Sequence, residues 1–153
     1  VLKWESLPDL PESLGVAGPF AGSHKDALII AGGANFANPI WATEKQWTQQ
    51  IHVLAKKQDS YTWHDGGLLK KPIAYGASVT TENGIVCMGG NDGSQTFRDV
   101  FLLQWDPKGK KTKTVTYPAL PEPCAYGQAA LVGNTIYLAG GQNGPDLDST
   151  MKN

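Results

Sequence analysis

Asn83-Gly84-Ile85-Val86-Cys87-Met88-Gly89-Gly90 is the stretch that decides the fold. Asn-Gly is the strongest short-range signal for a tight β-hairpin turn. The apolar run behind it is too short for a helix and is closed by a diglycine. The same order recurs twice: Lys25-Asp26-Ala27-Leu28-Ile29-Ile30-Ala31-Gly32-Gly33 and Gly133-Asn134-Thr135-Ile136-Tyr137-Leu138-Ala139-Gly140-Gly141. The glycine pairs lie 57 and 51 residues apart. The likeness reaches upstream, where Ala74-Tyr75-Gly76 and Ala125-Tyr126-Gly127 keep the same distance to their glycine pairs and Ala17-Gly18-Pro19 holds that register in the first unit. A self-similarity of about 50 residues is the mark of a repeat array.

Each unit reads as four strands. In the second, strand a is expected over about Tyr75–Thr81, strand b over Ile85–Gly89, strand c over Asp99–Trp105 and strand d over about Thr112–Tyr117. The polar loop 91–98 joins b to c, and Asp106-Pro107 ends c. Glycine permits the close backbone approach that a crowded junction needs. The strand-d aromatics Trp4, Trp63 and Tyr117 are expected to pack in the core. A four-stranded unit with a diglycine and a late aromatic is the kelch-type blade of a β-propeller. The fold class is therefore all-β, a partial propeller. It comprises an orphan outer strand (1–11, with its strand at Leu2–Leu7), blade 1 (16–66), blade 2 (73–121) and an incomplete blade 3 (124–153) that ends in a loop from Asp146 to Asn153. Such an arc leaves open edges and apolar faces. It is expected to belong to a propeller of about six blades, as a truncated gene product, an excised piece or one half of a split ring.

Composition narrows the function. The chain has 153 residues, a formal net charge of −1, 18 Gly and 10 Pro, and a single arginine, Arg98. One domain with a real core is affordable at this length. Near-neutral charge argues against a nucleic-acid partner, and no apolar run approaches the length of a membrane span. The N-terminus lacks a basic-then-apolar leader, which reads as a mature or excised chain. Cys87 sits in an apolar strand and reads as an inert thiol. Cys124 has no histidine near it in sequence and reads the same way. His24, His52 and His64 are scattered, so neither a zinc site nor a copper oxidase site is expected.

Gly15-Val16-Ala17-Gly18-Pro19-Phe20-Ala21-Gly22, followed by Ala27-Leu28-Ile29-Ile30-Ala31-Gly32-Gly33-Ala34-Asn35-Phe36, resembles a signature of bacterial N-acetylneuraminate epimerases, the sialic acid mutarotases. A long insertion and Ala74-Tyr75-Gly76 continue the likeness. Because the signature opens the chain, the pattern is similar to the N-terminal part of the cyclically permuted mutarotase-like branch. The resemblance implies interconversion of the α and β anomers of sialic acid in a funnel at the propeller axis, without cofactor or metal. A base takes the anomeric hydroxyl proton, the ring opens, and an acid protonates the departing ring oxygen. It also implies a periplasmic or secreted bacterial setting, and as partners a sialic acid or related sugar, with a homodimer or the missing propeller half.

The resemblance implies a glutamate just after a strand-b Gly, paired with an Arg a few residues on; Arg98 lies in the right kind of loop but out of that register. At the glutamate's place stand Ala34, Asn91 and Gln142, so the catalytic residues are unknown and the isolated chain is expected to be inactive. Arg98, Asn35, Asn91, Gln142, Tyr75 and Tyr126 are the candidate substrate-binding residues: a guanidinium for the carboxylate, amides for hydroxyls, and two rings at the starts of the inner strands. The loop from Asn38 to Gln50, with Trp41 and Trp47, is long enough to be a lid or an interface. The basic run Lys108–Lys113 reads as a solvated turn. The alternative function is a kelch module that binds proteins without catalysis.

Overall fold

In the computed structural model, which describes residues 1–58 and 60–144, the three hairpins of the repeat stand side by side. The first unit comprises β1 (Phe20–His24), β2 (Ala27–Ala31), the short pair β3 (Ala34–Phe36) and β4 (Lys45–Trp47), then β5 (Gln50–Lys57) and β6 (Ser60–Leu68). The second comprises β7 (Ala77–Thr81), β8 (Gly84–Met88), β9 (Val100–Asp106) and β10 (Lys111–Tyr117); the third is the hairpin β11 (Gln128–Val132) and β12 (Thr135–Ala139). Two four-stranded antiparallel sheets result, β1-β2-β5-β6 and β7-β8-β9-β10, with two-stranded sheets β11-β12 and β3-β4. This is an arc of a kelch-type β-propeller. The inner strands β1, β7 and β11 pack one against the next, and β6 meets β10 at the rim.

Period-two alternation explains the stacking. Every residue of β8 is buried. Ile85 and Cys87 face the first blade in one cluster with Phe20, Ile29, Ile51, Val53, Leu103 and Trp105. Val86 and Met88 face the third unit, in a cluster that Ile136 and Leu138 help to cover. A continuous apolar run is what a strand covered on both faces requires. At the two ends of the arc the cover is missing: Leu28 and Ile30 of β2 are only half-buried, while Val132 and Tyr137 are 64% and 60% exposed.

Polar ties repeat with the unit. Gly33 N–H donates to Ile73 O (2.8 Å), and Gly90 N–H donates to Cys124 O (2.7 Å), so each second diglycine residue holds the linker into the next blade. Nearer the axis, Tyr75 N–H donates to Gly18 O and Tyr126 N–H to Tyr75 O, both at 2.7 Å. Ser78 Oγ donates to Ala21 O and accepts from Ala21 N–H, and Thr80 Oγ1 accepts from Ser23 N–H.

The expected strands form with shifts of one or two residues, except at the N-terminus. Residues 1–10 form no strand, so the orphan outer strand over Leu2–Leu7 is not present. An outer strand needs a c strand to pair with, and among the described residues both c strands, β5 and β9, already have a neighbour on each side. The aromatic expectation is corrected for the same reason: Trp4 is 88% exposed and Tyr117 lies on an open face. Trp63 is half-buried and donates through Nε1 to Pro8 O (3.1 Å). The core aromatics are instead Phe20, Phe97 and Trp105. The β7–β8 turn is also one residue earlier than expected: Thr81 pairs with Gly84, so Glu82 and Asn83 form the loop. The loop expected from Asp146 to Asn153 lies outside the described residues.

Candidate functional site

Three loops of the repeat converge at one end of the arc. Ala34, Asn91 and Gln142, which follow the glycine pairs, form isolated bridges with Ala17, Ala74 and Ala125. That pairing sets the three positions at equivalent places in successive blades. The residues after Ala17, Ala74 and Ala125 are Gly18, Tyr75 and Tyr126, with φ of 61°, 61° and 62°. Left-handed backbone costs a tyrosine about 1 kcal/mol or more. Residues held in such conformations cluster at functional sites. The first unit has glycine here because the Tyr75 ring lies over it: a Cβ on Gly18 would sit 2.3 Å from Tyr75 Cδ1. Tyr126 in turn stacks on Tyr75, with centroids 4.8 Å apart and planes tilted by 30°. The two rings and the starts of β7 and β11 border a channel-side cavity of about 330 Å³.

Beside them opens a cleft of about 210 Å³ lined by Lys45, Trp47, Asn91, Gln95, Tyr126 and Gln142. Trp47 Nε1 donates to Asn91 Oδ1 (3.1 Å), and Asn91 Nδ2 donates to the Tyr126 hydroxyl (3.2 Å). The Lys45 ammonium lies 4.3 Å from the centroid of Tyr75, 5.5 Å from that of Trp47 and 5.9 Å from that of Phe36. Among the described residues no carboxylate forms an ion pair with it. Aromatic faces, carboxamides and one ammonium are the groups that hold an anionic sugar: rings for its C–H faces, amides for hydroxyls, the cation for a carboxylate.

Of the six candidate residues, Asn91, Gln142 and Tyr126 line this cleft, and Tyr75 supplies the ring beneath Lys45. Asn35 turns away and donates through Nδ2 to Leu14 O and Gly15 O, at 2.5 and 2.7 Å. It borders a separate cavity of about 290 Å³ on the other side of Trp47. Arg98 is exposed and is not among the residues that line the cleft. Its neighbour Asp99 pairs with Lys71 at 2.9 Å, and that ammonium sits 3.5 Å over Phe97.

Sequence reasoning missed Lys45, and it singled out Trp47 only as part of a lid or interface loop, not among the candidate binding residues. Both come from the insertion, which folds as the β3–β4 hairpin around a single 3-10 turn (Ile40–Ala42). Trp47 is half-buried in the site, whereas Trp41 is 86% exposed. The signal was available in part, since a half-buried strand alternates and Lys45 and Trp47 share one face of Lys45-Gln46-Trp47.

Neither thiol competes as a functional group. Cys87 is fully buried, and burial pushes its pKa well above the ordinary thiol value. Burial also raises that of Cys124, whose Sγ lies 3.6 Å from Gly140 O. A thiol kept protonated is a poor nucleophile.

Comparison with known proteins adds what the geometry leaves open. The family model described as N-acetylneuraminate epimerase matches residues 1–113. An N-acetylneuraminate epimerase of Yersinia enterocolitica is 35% identical over 123 residues, covering 68% of this chain and 30% of that protein. One of Brucella suis is 33% identical, covering 69% and 31%. The solved "Structure of YjhT" superposes with a TM-score of 0.64 at 28% identity, over 74% of this chain and 34% of that one. The chain thus spans about a third of the length of the relatives it matches. With residues 1–113 matched and the repeat geometry in place, the chain belongs to the N-acetylneuraminate epimerase family.

Proposed function

We propose that this chain forms part of the binding funnel of an enzyme that interconverts the anomers of N-acetylneuraminic acid. The observation that carries this reading is the cleft itself. Lys45 is held over three rings with no carboxylate partner among the described residues, beside the Asn91 and Gln142 carboxamides. Sialic acid carries the matching set: a carboxylate, an acetamido group, hydroxyls and an apolar sugar face.

Mutarotation needs a base at the anomeric hydroxyl and an acid at the ring oxygen. Among the described residues no Asp or Glu lines the cleft. In this reading the chain binds and orients the sugar, while the proton-transfer groups come from other parts of the whole protein. A second copy or a complementary propeller half would supply them, and the setting would be periplasmic or extracellular. That same lack of a carboxylate favours one second reading, a kelch module that binds without catalysis.

One-dimensional proton NMR of freshly released α-sialic acid separates the two readings. The 153-residue chain is expected to bind the sugar and to leave the anomerisation rate near its uncatalysed value. The longer protein that carries this sequence is expected to accelerate it. No acceleration by that longer protein would leave the binding module in its place.

A further inference from the structure

We propose that Trp47, Asn91 and Tyr126 form a directed hydrogen-bond chain that, together with Lys45, makes a carboxylate-binding subsite requiring no arginine. This rests on the reading of the cleft as a site for an acidic sugar, and adds which groups take the acid and why.

The direction follows from chemistry. An indole Nε1–H can only donate, so the atom of Asn91 that meets it at 3.1 Å must be the amide oxygen. The amide nitrogen is then the atom facing Tyr126, and it donates to the hydroxyl oxygen at 3.2 Å. A hydroxyl that accepts there has its own hydrogen left to give. Among the described residues nothing receives it, and Tyr126 is 50% exposed, with its side chain bordering the cleft. Tyr126 is thereby set as a donor toward whatever occupies the site. Lys45 also only donates, and it stands over Tyr75, the ring on which Tyr126 is stacked. Two donors that border the same cleft, one of them charged, match an acceptor-only anion such as a carboxylate. A neutral hydroxyl or an ester satisfies them less well. Trp47 and Asn91 are positioning residues, and Tyr126 and Lys45 are the groups that touch the ligand.

Reversing the chain is the test. In Asn91→Asp the new carboxylate can only accept, so it takes the Tyr126 hydrogen and turns that hydroxyl into an acceptor. Dissociation constants are measured by NMR titration with four probes: N-acetylneuraminate, its methyl ester, glucuronate and glucose. The parent chain is expected to bind N-acetylneuraminate at least tenfold more tightly than the ester. Asn91→Asp and Lys45→Met should each bring that ratio close to one. Tyr126→Phe, which keeps the stacked ring, should lower it severalfold with an unchanged urea midpoint.

Equal binding of acid and ester by the parent chain would overturn the proposal. So would a ratio that survives both Asn91→Asp and Tyr126→Phe, or the failure of both acids to bind. Lys45-dependent binding of glucuronate without binding of N-acetylneuraminate would uphold the subsite and remove sialic acid as its ligand.

Discussion

Replacing Gly89 and Gly140 by alanine, one at a time, measures what the diglycine does in a blade. The two glycines occupy equivalent positions of successive repeats with nearly the same backbone, φ of 64° and 68°. A side chain in that conformation costs about 1–2 kcal/mol at either place. They differ in what stands opposite. A Cβ on Gly89 would lie 1.9 Å from the backbone oxygen of Cys124, whereas one on Gly140 meets nothing within 4 Å among the described residues. In Gly89→Ala the linker into the third unit must retreat by more than about 1 Å to restore van der Waals contact. That linker is held by Gly90 N–H to Cys124 O at 2.7 Å and by Cys124 N–H to Phe97 O at 3.0 Å. Losing both adds about 2 kcal/mol at roughly 1 kcal/mol net for each bond. Gly89→Ala is therefore expected to destabilise by about 3–4 kcal/mol and Gly140→Ala by about 1–2 kcal/mol. Urea denaturation followed by tryptophan fluorescence reads both. Variants equal within about 0.5 kcal/mol, a spread typical of neutral surface changes, would show that the glycines serve backbone conformation alone and not blade contact.

Three further outcomes are expected. His24 Nδ1 accepts the Trp105 N–H at 2.9 Å, and burial, then the charge of Lys25, lowers its pKa below the usual 6.5. Its contribution to stability is therefore full above that value and is lost as pH falls below it toward the folded-state pKa. Urea midpoints at pH 7.5 and 5.5 should show the drop, and His24→Gln, which keeps an acceptor, should shrink it. Ser78→Ala removes both bonds to Ala21 at the β1–β7 seam; a loss of about 1–2 kcal/mol is expected by thermal or urea unfolding. Iodoacetamide at neutral pH should leave Cys87 and Cys124 unmodified in the native chain and label both in urea, as read by intact mass, because burial holds both thiols protonated.

The blade was legible in the sequence because its determinants are local. Thr81 to Met88 contains its own turn, its own apolar run and its own glycine stop, and the repeat supplies the register for the other two copies. The both-face burial of β8 was written there too, as a run with no polar alternation. What failed was the outer edge. Trp4 and Tyr117 carry the right spacing for a blade aromatic, but neither finds cover on the faces left open. Burial depends on neighbours that a spacing rule does not see.

The site divides along the same line. Position within the repeat was enough to single out Asn91, Gln142, Tyr75 and Tyr126, since equivalent residues of successive blades must converge on one end of an arc. It could not show that Asn35 is tied to the Leu14 and Gly15 carbonyls or that Arg98 stands apart from the cleft. Nor could it show that Lys45 and Trp47, from a hairpin with no counterpart in the second blade, reach across to Asn91 and Tyr75. A strand's hydrogen bonds and alternation are encoded within a few residues, so the chain alone determined the blades and their order. A lysine above a ring from another blade, more than two dozen positions away, exists only once packing has brought both there, and the tertiary structure alone decided it.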